Sequence, residues 1–255
     1  MATAGGWQAP ISDTRLGDAE VHVWRASLVA SLPALAARYP MLSANERSRA
    51  ARFLLAERAE RFVAGRAILR ELLSRYTGVP PLELVLRQSP TGKLLLAPRP
   101  DGLPVHFNAS HSGDIALYAI TTGRDVGVDV EAVRADRDGR AIAERTFSAG
   151  EREFLRRRWS ADGPAAFYRL WTLKEAYLKA TGDGLSRPLS SFEVRIGPGG
   201  EAALRWDRST PRRPAGWTLR RLEPCEGYAG AVVVEGRGVR VRRFGWGTGS
   251  GTDED

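Results

Sequence analysis

The chain has 255 residues, 43% of them apolar and 27% charged, a composition typical of a globular protein with one large or two small domains. Its single cysteine, Cys225, excludes an internal disulfide and suits a reducing compartment. The chain shows neither the basic start and apolar run of a signal peptide nor a run of about 20 apolar residues that would span a membrane. We therefore predict a cytoplasmic protein.

The formal net charge of +8 allows two interpretations. It can reflect arginine-rich faces that are simply solvated, or a partner rich in phosphate or carboxylate groups. Residues 205–221 and 237–243 are locally very basic, and they leave a nucleic acid open as a partner. Charge taken alone favours the first interpretation.

The first half of the chain predicts a strand, then helices, then further strands. Alternating apolar residues predict an opening strand at 21–24. A capping box that begins at Ser43 predicts a helix start, and apolar residues at helical spacing predict a longer helix over 57–76. Short strands are predicted at 84–86, 94–96 and 115–121.

The second half repeats this order. A strand is predicted at 126–130, and a second capping box begins at Ser148. A long helix is predicted over 164–181, closed by Gly182. Further strands are predicted at 192–196, 202–206, 217–222 and 228–234. The final residues, 245–255, are rich in Gly, Ser, Thr and acid, which predicts a disordered tail.

The repeated order predicts an α+β fold of two similar halves related by a pseudo-two-fold axis. Each half is expected to pack a small, mostly antiparallel sheet against a long helix. We place the halves at residues 1–122 and 123–244, with the join near 122–126. A cleft between two such halves is the expected position for a binding site.

Three carboxylates are candidates for a metal site. Asp129 and Glu131 lie two residues apart on a predicted strand, so both point to one side, and a hard cation relieves the repulsion between them. The spacing taken alone slightly favours a solvated strand face. Glu175 and Lys179 lie four apart on the predicted helix, a common surface ion pair. Trp171 shares their face, which argues that this face is partly buried.

The segment Asn108-Ala-Ser-His-Ser-Gly113 is polar and lies between predicted strands. Clustered serine, histidine and glycine in a loop at the end of a strand can cradle a phosphate. The alternative is a polar turn with a structural histidine. A serine hydrolase is less well supported, because the chain has no Gly-x-Ser-x-Gly elbow.

In their order and spacing, the motifs Asn-Ala-Ser-His-Ser, Gly-Val-Asp-Val-Glu and Trp-Thr-Leu-Lys-Glu-Ala-Tyr-Leu-Lys together resemble the 4′-phosphopantetheinyl transferase superfamily. The resemblance covers about residues 43–194. The length and doubled layout are similar to the larger, surfactin-synthetase-activating type rather than to the short trimeric holo-carrier-protein synthases. One chain would then form the cleft that the shorter relatives build between subunits, so we predict a monomer.

The resemblance implies a reaction. The chain would transfer the 4′-phosphopantetheine of coenzyme A to a serine of an apo-acyl or peptidyl carrier protein and release adenosine 3′,5′-bisphosphate. Magnesium would be the cofactor, held by the matching acids Asp129, Glu131 and Glu175. Glu175 would also be the best-placed catalytic base, accepting the serine proton directly or through a metal-bound water, and Lys179 would bind the diphosphate and stabilise its charge.

The resemblance also implies contacts with coenzyme A. They fall on Ser110 and His111 at the phosphates, Lys93 near the adenine nucleotide, and Arg49 and Arg61 at the 3′-phosphate. Two positions depart from the family pattern. Leu94 replaces the usual proline after Lys93, and Glu46 is acidic where relatives are often basic.

Two alternative functions stay open. A basic nucleic-acid-binding protein would explain the charge but not the ordered acids. A catalytically inactive homologue that binds carrier proteins would explain the motifs, although the intact acids and Lys179 argue against it. We expect neither a nucleic acid nor a membrane as a partner.

Overall fold

The computed structural model describes residues 6–9, 15–30, 32–98, 102, 104–136, 138–210 and 214–247. The elements of the first half, in chain order, are β1 (Glu20–Ser27), α1 (Leu32–Arg38), α2 (Ala44–Ala50), α3 (Ala56–Thr77), β2 (Leu86–Gln88), β3 (Leu94–Leu96), β4 (Val105–Ser112) and β5 (Ile115–Thr122). Those that follow are β6 (Val126–Ala132), α4 (Gly139–Thr146), α5 (Ala149–Asp162), α6 (Pro164–Thr181), β7 (Phe192–Ile196), β8 (Ala202–Asp207), β9 (Trp217–Leu222), β10 (Tyr228–Glu235) and β11 (Arg240–Gly245).

Local hydrogen bonds and backbone conformation determine where the helices begin and end. Both predicted capping boxes form, at the start of α2 and of α5, with each serine and glutamate side chain bonded to the other residue's backbone N–H. Helix α6 has Pro164 in its first turn and ends at Gly182, whose φ of 74° is the left-handed conformation that favours glycine. The predicted helix over 164–181 is therefore confirmed.

The strands form two main sheets and a small hairpin. The first sheet has the order β11-β1-β5-β4 and the second the order β6-β10-β9-β8-β7. All pairs are antiparallel except β1 with β11, and the β2–β3 hairpin stands apart as a two-stranded sheet. Within the sheets, β1-β5-β4 matches β6-β10-β9 in chain order, as a doubled α+β fold requires.

Apolar packing arranges the molecule in layers. Helix α3 packs on one face of the first sheet, and helix α6 packs on one face of the second. Between the sheets lies a row of valines that includes Val21, Val23, Val128 and Val232. Val126, Val128 and Val130 are at most 1% exposed, so the alternate residues of β6 point towards α6.

The two sheets meet along β4 and β6. Over the described residues these strands form no backbone ladder, but side chains bridge them. The Asn108 Oδ1 atom accepts from the Val128 N–H at 2.9 Å, and the Ser112 hydroxyl oxygen accepts from the Ala132 N–H at 3.1 Å. Since side chains replace backbone pairing, a cleft can open between the halves at this seam.

The structure differs from the sequence predictions in its strands. The polar segment 108–113, expected as a loop, runs along β4 as far as Ser112. Strand β11 was not predicted, and its residues, which were assigned to the second half, lie in the first sheet. Arginines alternate there with apolar residues and hide the strand signal. Gly245 and Trp246, expected in the disordered tail, are ordered, whereas 248–255 lie outside the described residues.

None of the helices in the described part of the chain is both long and apolar enough to cross a membrane.

Candidate active site

Strand β6 carries the predicted acid pair on the side that faces α6. Asp129 is only 3% exposed, and its Oδ1 atom lies 2.6 Å from the ammonium nitrogen of Lys179 on α6. The Ser110 hydroxyl donates to the same Oδ1 at 2.9 Å and accepts from Lys179 at 2.9 Å. Glu131 accepts from the Ser112 hydroxyl at 2.9 Å. The two-residue spacing on β6 is thus matched by two serines on β4.

Gly127 allows α6 to approach β6 closely enough for these contacts. A Cβ atom built on Gly127 would lie 2.0 Å from the carbonyl oxygen of Ala176, which no side chain can tolerate. Only glycine therefore fits at this position, two residues before Asp129 on the same side of β6.

Glu175 points into the same region from α6 and is 8% exposed. Burial raises the pKa of its carboxyl above the ordinary value; Asp129 and Glu131 raise it further, while Lys179 acts in the opposite direction. The predicted acids therefore influence one another, although they come from separate elements.

These acids offer a suitable donor set for a hard divalent cation. The Oδ2 atom of Asp129 and the Oε1 atom of Glu175 are buried with no hydrogen-bond partner among the described residues. Carboxylate oxygens are ligands that magnesium prefers. In the present side-chain arrangement, however, the described residues hold no group of three or more His, Cys, Asp or Glu placed to bind an ion. The ammonium of Lys179 balances the charge of Asp129 instead.

A cavity of about 420 Å³ opens beside this cluster. All the residues predicted to contact coenzyme A line it, together with the predicted base: Arg49, Arg61, Lys93, Ser110, His111, Glu175 and Lys179. They come from α2, α3, the β2–β3 turn, β4 and α6. Asp129 is linked to the cavity through Ser110 and Lys179, which both line it and bond to Asp129.

The wall formed by the first half is strongly basic. Arg61 is held at the cavity by Asp114, with its Nε atom 2.8 Å from Oδ1, and also pairs with Glu57. The guanidinium of Arg49 lies 5.2 Å from the centre of the Phe62 ring. Although His111 as a whole is exposed, desolvation of its imidazole in the cavity wall lowers its pKa, and the nearby cations, led by Lys179, lower it further. This wall therefore presents positive charge to an anionic ligand.

Arg66 and Phe62 also line the cavity and were not predicted. The guanidinium of Arg66 lies 3.3 Å from a carboxylate oxygen of Glu46, which also pairs with Arg70 at 2.7 Å. Glu46, the acid at a position where relatives are often basic, thus orients two arginines. The helical spacing of Arg66, four residues after Phe62, was the signal available in the sequence.

Lys174, next to the predicted base, is a structural residue. Its ammonium is fully buried, 2.6 Å from the Glu151 carboxylate and 2.9 Å from the Phe192 carbonyl oxygen. Burial lowers the pKa of this ammonium, although Glu151 opposes the effect. The pair joins α6 to α5, at the residue next to Glu175.

Buried carboxylates, an ammonium group and a basic wall around one cavity are typical of enzymes that bind a polyanionic substrate. The comparisons with known proteins narrow this class. The profile of the 4′-phosphopantetheinyl transferase superfamily matches residues 125–233, and the profile "4′-phosphopantetheinyl transferase, N-terminal" matches residues 26–123.

Curated relatives match over most of the chain. The chain is 38% identical to the 4′-phosphopantetheinyl transferase HetI of Nostoc sp., over 93% of each protein. It is 31% identical to the 4′-phosphopantetheinyl transferase Sfp of Bacillus subtilis, over 76% of this chain and 82% of the relative. The chain therefore belongs to the 4′-phosphopantetheinyl transferase superfamily, which confirms the family predicted from its motifs.

Solved structures with partial similarity include the holo-[acyl-carrier-protein] synthase of Helicobacter pylori in complex with coenzyme A. That comparison has a TM-score of 0.36 and 18% sequence identity, and it covers 43% of this chain and 98% of the synthase.

Proposed function

We propose that this chain transfers the 4′-phosphopantetheine of coenzyme A to a serine hydroxyl of an apo-acyl or peptidyl carrier protein. The observation that carries the proposal is the cavity at the seam of the two halves. It gathers the residues that match the family's phosphate contacts together with Glu175 and Lys179, which match its catalytic pair.

Coenzyme A would bind with its phosphates against the basic wall. Arg49, Arg61 and His111 lie around the cavity, where they can pair with the 3′-phosphate and the diphosphate. The imidazole nitrogens of His111 can add hydrogen bonds to the phosphate oxygens beside these two arginines.

Asp129, Glu131 and Glu175 would hold a magnesium ion, which when bound supplies positive charge that neutralises the diphosphate. The bond from Lys179 to Asp129 keeps the ammonium at the cavity edge. From there Lys179 can stabilise the negative charge that develops on the leaving phosphate oxygen.

Glu175 is the proposed proton acceptor. A bond forms between the serine oxygen of the carrier protein and the β-phosphorus, and the bond from that phosphorus to the bridging oxygen breaks. Adenosine 3′,5′-bisphosphate leaves, and the serine proton passes to the Glu175 carboxylate. Glu175 lines the cavity from α6, where its carboxylate is placed to accept this proton.

We also propose how the chain divides, its oligomeric state and its location. The halves divide near residue 123, where the two matching profiles meet. The chain acts as a monomer, because its own halves supply both walls of the cavity; a stable dimer or trimer in light scattering would contradict this. It works in the cytoplasm, where a lone cysteine stays reduced.

The test is to incubate the chain with coenzyme A, magnesium and a panel of apo-carrier proteins, followed by intact mass spectrometry. We expect one phosphopantetheine added per carrier, with no addition in chelator or with Asp129→Ala. The function is wrong if the folded chain modifies no carrier, or if addition continues unchanged in chelator.

A further inference from the structure

The turn at 89–93, which joins β2 to β3 in the first half, reaches across to the second half. The Thr91 hydroxyl donates to the Gly182 carbonyl oxygen at 2.9 Å. The Lys93 ammonium donates to the carbonyl oxygens of Ala180 and Val126, each at 3.2 Å. The turn therefore contacts the end of α6 and the start of β6.

The end of a helix is a favourable place for these donors. The last carbonyl groups of a helix lack intrahelical partners, and the helix dipole gives them partial negative charge. The Lys93 ammonium supplies both a hydrogen bond and a positive charge to Ala180. Gly184 admits the turn closely, since a Cβ atom there would lie 3.3 Å from the Cβ atom of Thr91.

The turn holds its own shape through internal bonds. The Ser89 N–H donates to the Lys93 carbonyl oxygen at 2.8 Å, and the Ser89 hydroxyl oxygen accepts from the Lys93 N–H at 3.0 Å. The Ser89 and Thr91 hydroxyl groups lie 2.9 Å apart. The two side chains that reach α6 therefore start from a defined position.

Ala180 directly follows Lys179, the residue that bonds to Asp129 and Ser110. We propose that Lys93 and Thr91 are positioning residues that hold the end of α6, so that Lys179 keeps its direction towards the diphosphate. Lys93 lines the cavity, but its ammonium is engaged by main-chain oxygens. The inference rests on the proposed function and replaces the direct nucleotide contact that the family resemblance implied for Lys93.

Measuring kcat and the Kd for coenzyme A in Lys93→Met separates a positioning role of Lys93 from direct binding of the nucleotide. We expect kcat to fall about tenfold or more, because a small misplacement of a catalytic group is costly. The Kd for coenzyme A, measured by calorimetry, should stay within about twofold of the wild-type value. Lys93→Arg, which keeps the charge and the donors, should recover most of kcat. Arg61→Met is the contrasting control, expected to raise the Kd.

Thr91→Val is a second, milder variant that removes one tie and keeps the side-chain shape. We expect the same division, with a smaller loss of kcat and an unchanged Kd. It carries the test if Lys93→Met does not fold. A Kd raised about tenfold with kcat unchanged at saturation, in either variant, would show direct binding and overturn the inference.

Hydrogen exchange makes the inference testable apart from the reaction. Amides at 178–182 should exchange faster in Lys93→Met, while those at 74–78, at the end of α3, should not change. If the wild-type chain transfers nothing, the proposed function fails, and the exchange result still decides the inference. Unchanged exchange at 178–182 would contradict it.

Discussion

The C-terminal ends of α3 and α6 share one pattern of residues, but the two halves of the molecule use it differently. Their sequences are Arg70-Glu-Leu-Leu-Ser-Arg-Tyr-Thr-Gly78 and Lys174-Glu-Ala-Tyr-Leu-Lys-Ala-Thr-Gly182. In both, the first cation is buried and pairs with the glutamate of a capping box, Arg70 with Glu46 at 2.7 Å and Lys174 with Glu151 at 2.6 Å. Both helices end at a glycine with φ near 70°. This shared pattern, a buried cation paired with a capping-box glutamate and a glycine at the helix end, is therefore structural in both halves.

The difference lies in the strand that faces each helix end. Asp129 pairs with Ala231, the fourth residue of β10, and Trp24 pairs with Tyr118, the fourth residue of β5. By this register Trp24 stands where the second half has Asp129. Its ring packs 4.8 Å from that of Phe244 on β11.

The counterparts of the catalytic pair are used differently as well. Glu71, which corresponds to Glu175, lies 3.6 Å from Arg38 near the surface. Arg75, which corresponds to Lys179, lies over the ring of Trp246 at 4.3 Å. The Arg/Lys-Glu pattern on a helix is therefore not sufficient for a site. The second half also has an acid on the facing strand and an open cavity.

The largest expected effect is on the free energy of unfolding, and it tests the ion pairs of this shared pattern. Lys174→Met leaves the fully buried Glu151 without its ion-pair partner, whereas Arg70→Met leaves the half-buried Glu46 still paired with Arg66. We expect Lys174→Met to lower the free energy of unfolding by about 3–5 kcal/mol, as for other broken buried pairs, and Arg70→Met to lower it by less. Urea unfolding measures this, with the exposed Arg156→Met as a control expected to cost less than about 1 kcal/mol. Equal losses of unfolding free energy in all three variants would show that these ion pairs contribute no more than the exposed Arg156.

The next effect tests the functional difference between the halves. Glu175→Gln keeps the shape but removes the proton acceptor, so we expect the transfer rate to fall at least about a hundredfold. Glu71→Gln, the matched change in the first half, should leave the rate unchanged. Initial rates of carrier modification measure both, and similar rates in the two variants would refute the assignment of Glu175 as the base.

The smallest effect concerns pH. The pKa of His111 lies below its ordinary value of 6.5 in the folded chain, so between the two values the unfolded chain binds more protons. Stability is therefore fully present above about pH 6.5 and decreases as the pH falls towards the folded pKa. His22, buried in the first half, acts in the same direction.

His111→Gln should accordingly flatten the decline in unfolding free energy between about pH 7 and pH 5 only slightly, because His111 is exposed and solvent screens its interactions. The measurement is urea unfolding at several pH values. His106→Gln, at the other histidine of β4, is the matched control. A decline as steep as in the wild type would show that His111 does not contribute.

The sequence by itself determined most of the element types and the family. Capping boxes at Ser43 and Ser148, and glycines after α3 and α6, are local signals, because they act through the nearest backbone groups. The alternation of valines with Asp129 and Glu131 placed both acids on one side of β6, because successive strand residues point to opposite faces.

Only the tertiary structure decided which distant groups meet. It paired Lys179 with Asp129, turned the Lys93 ammonium to the carbonyl oxygens of Ala180 and Val126, and placed β11 beside β1 in the first sheet. These contacts depend on how whole layers pack, and side chains of the same type in α3 have different partners. A local pattern specifies the direction of a side chain along its own element, whereas the opposite element decides what that side chain contacts.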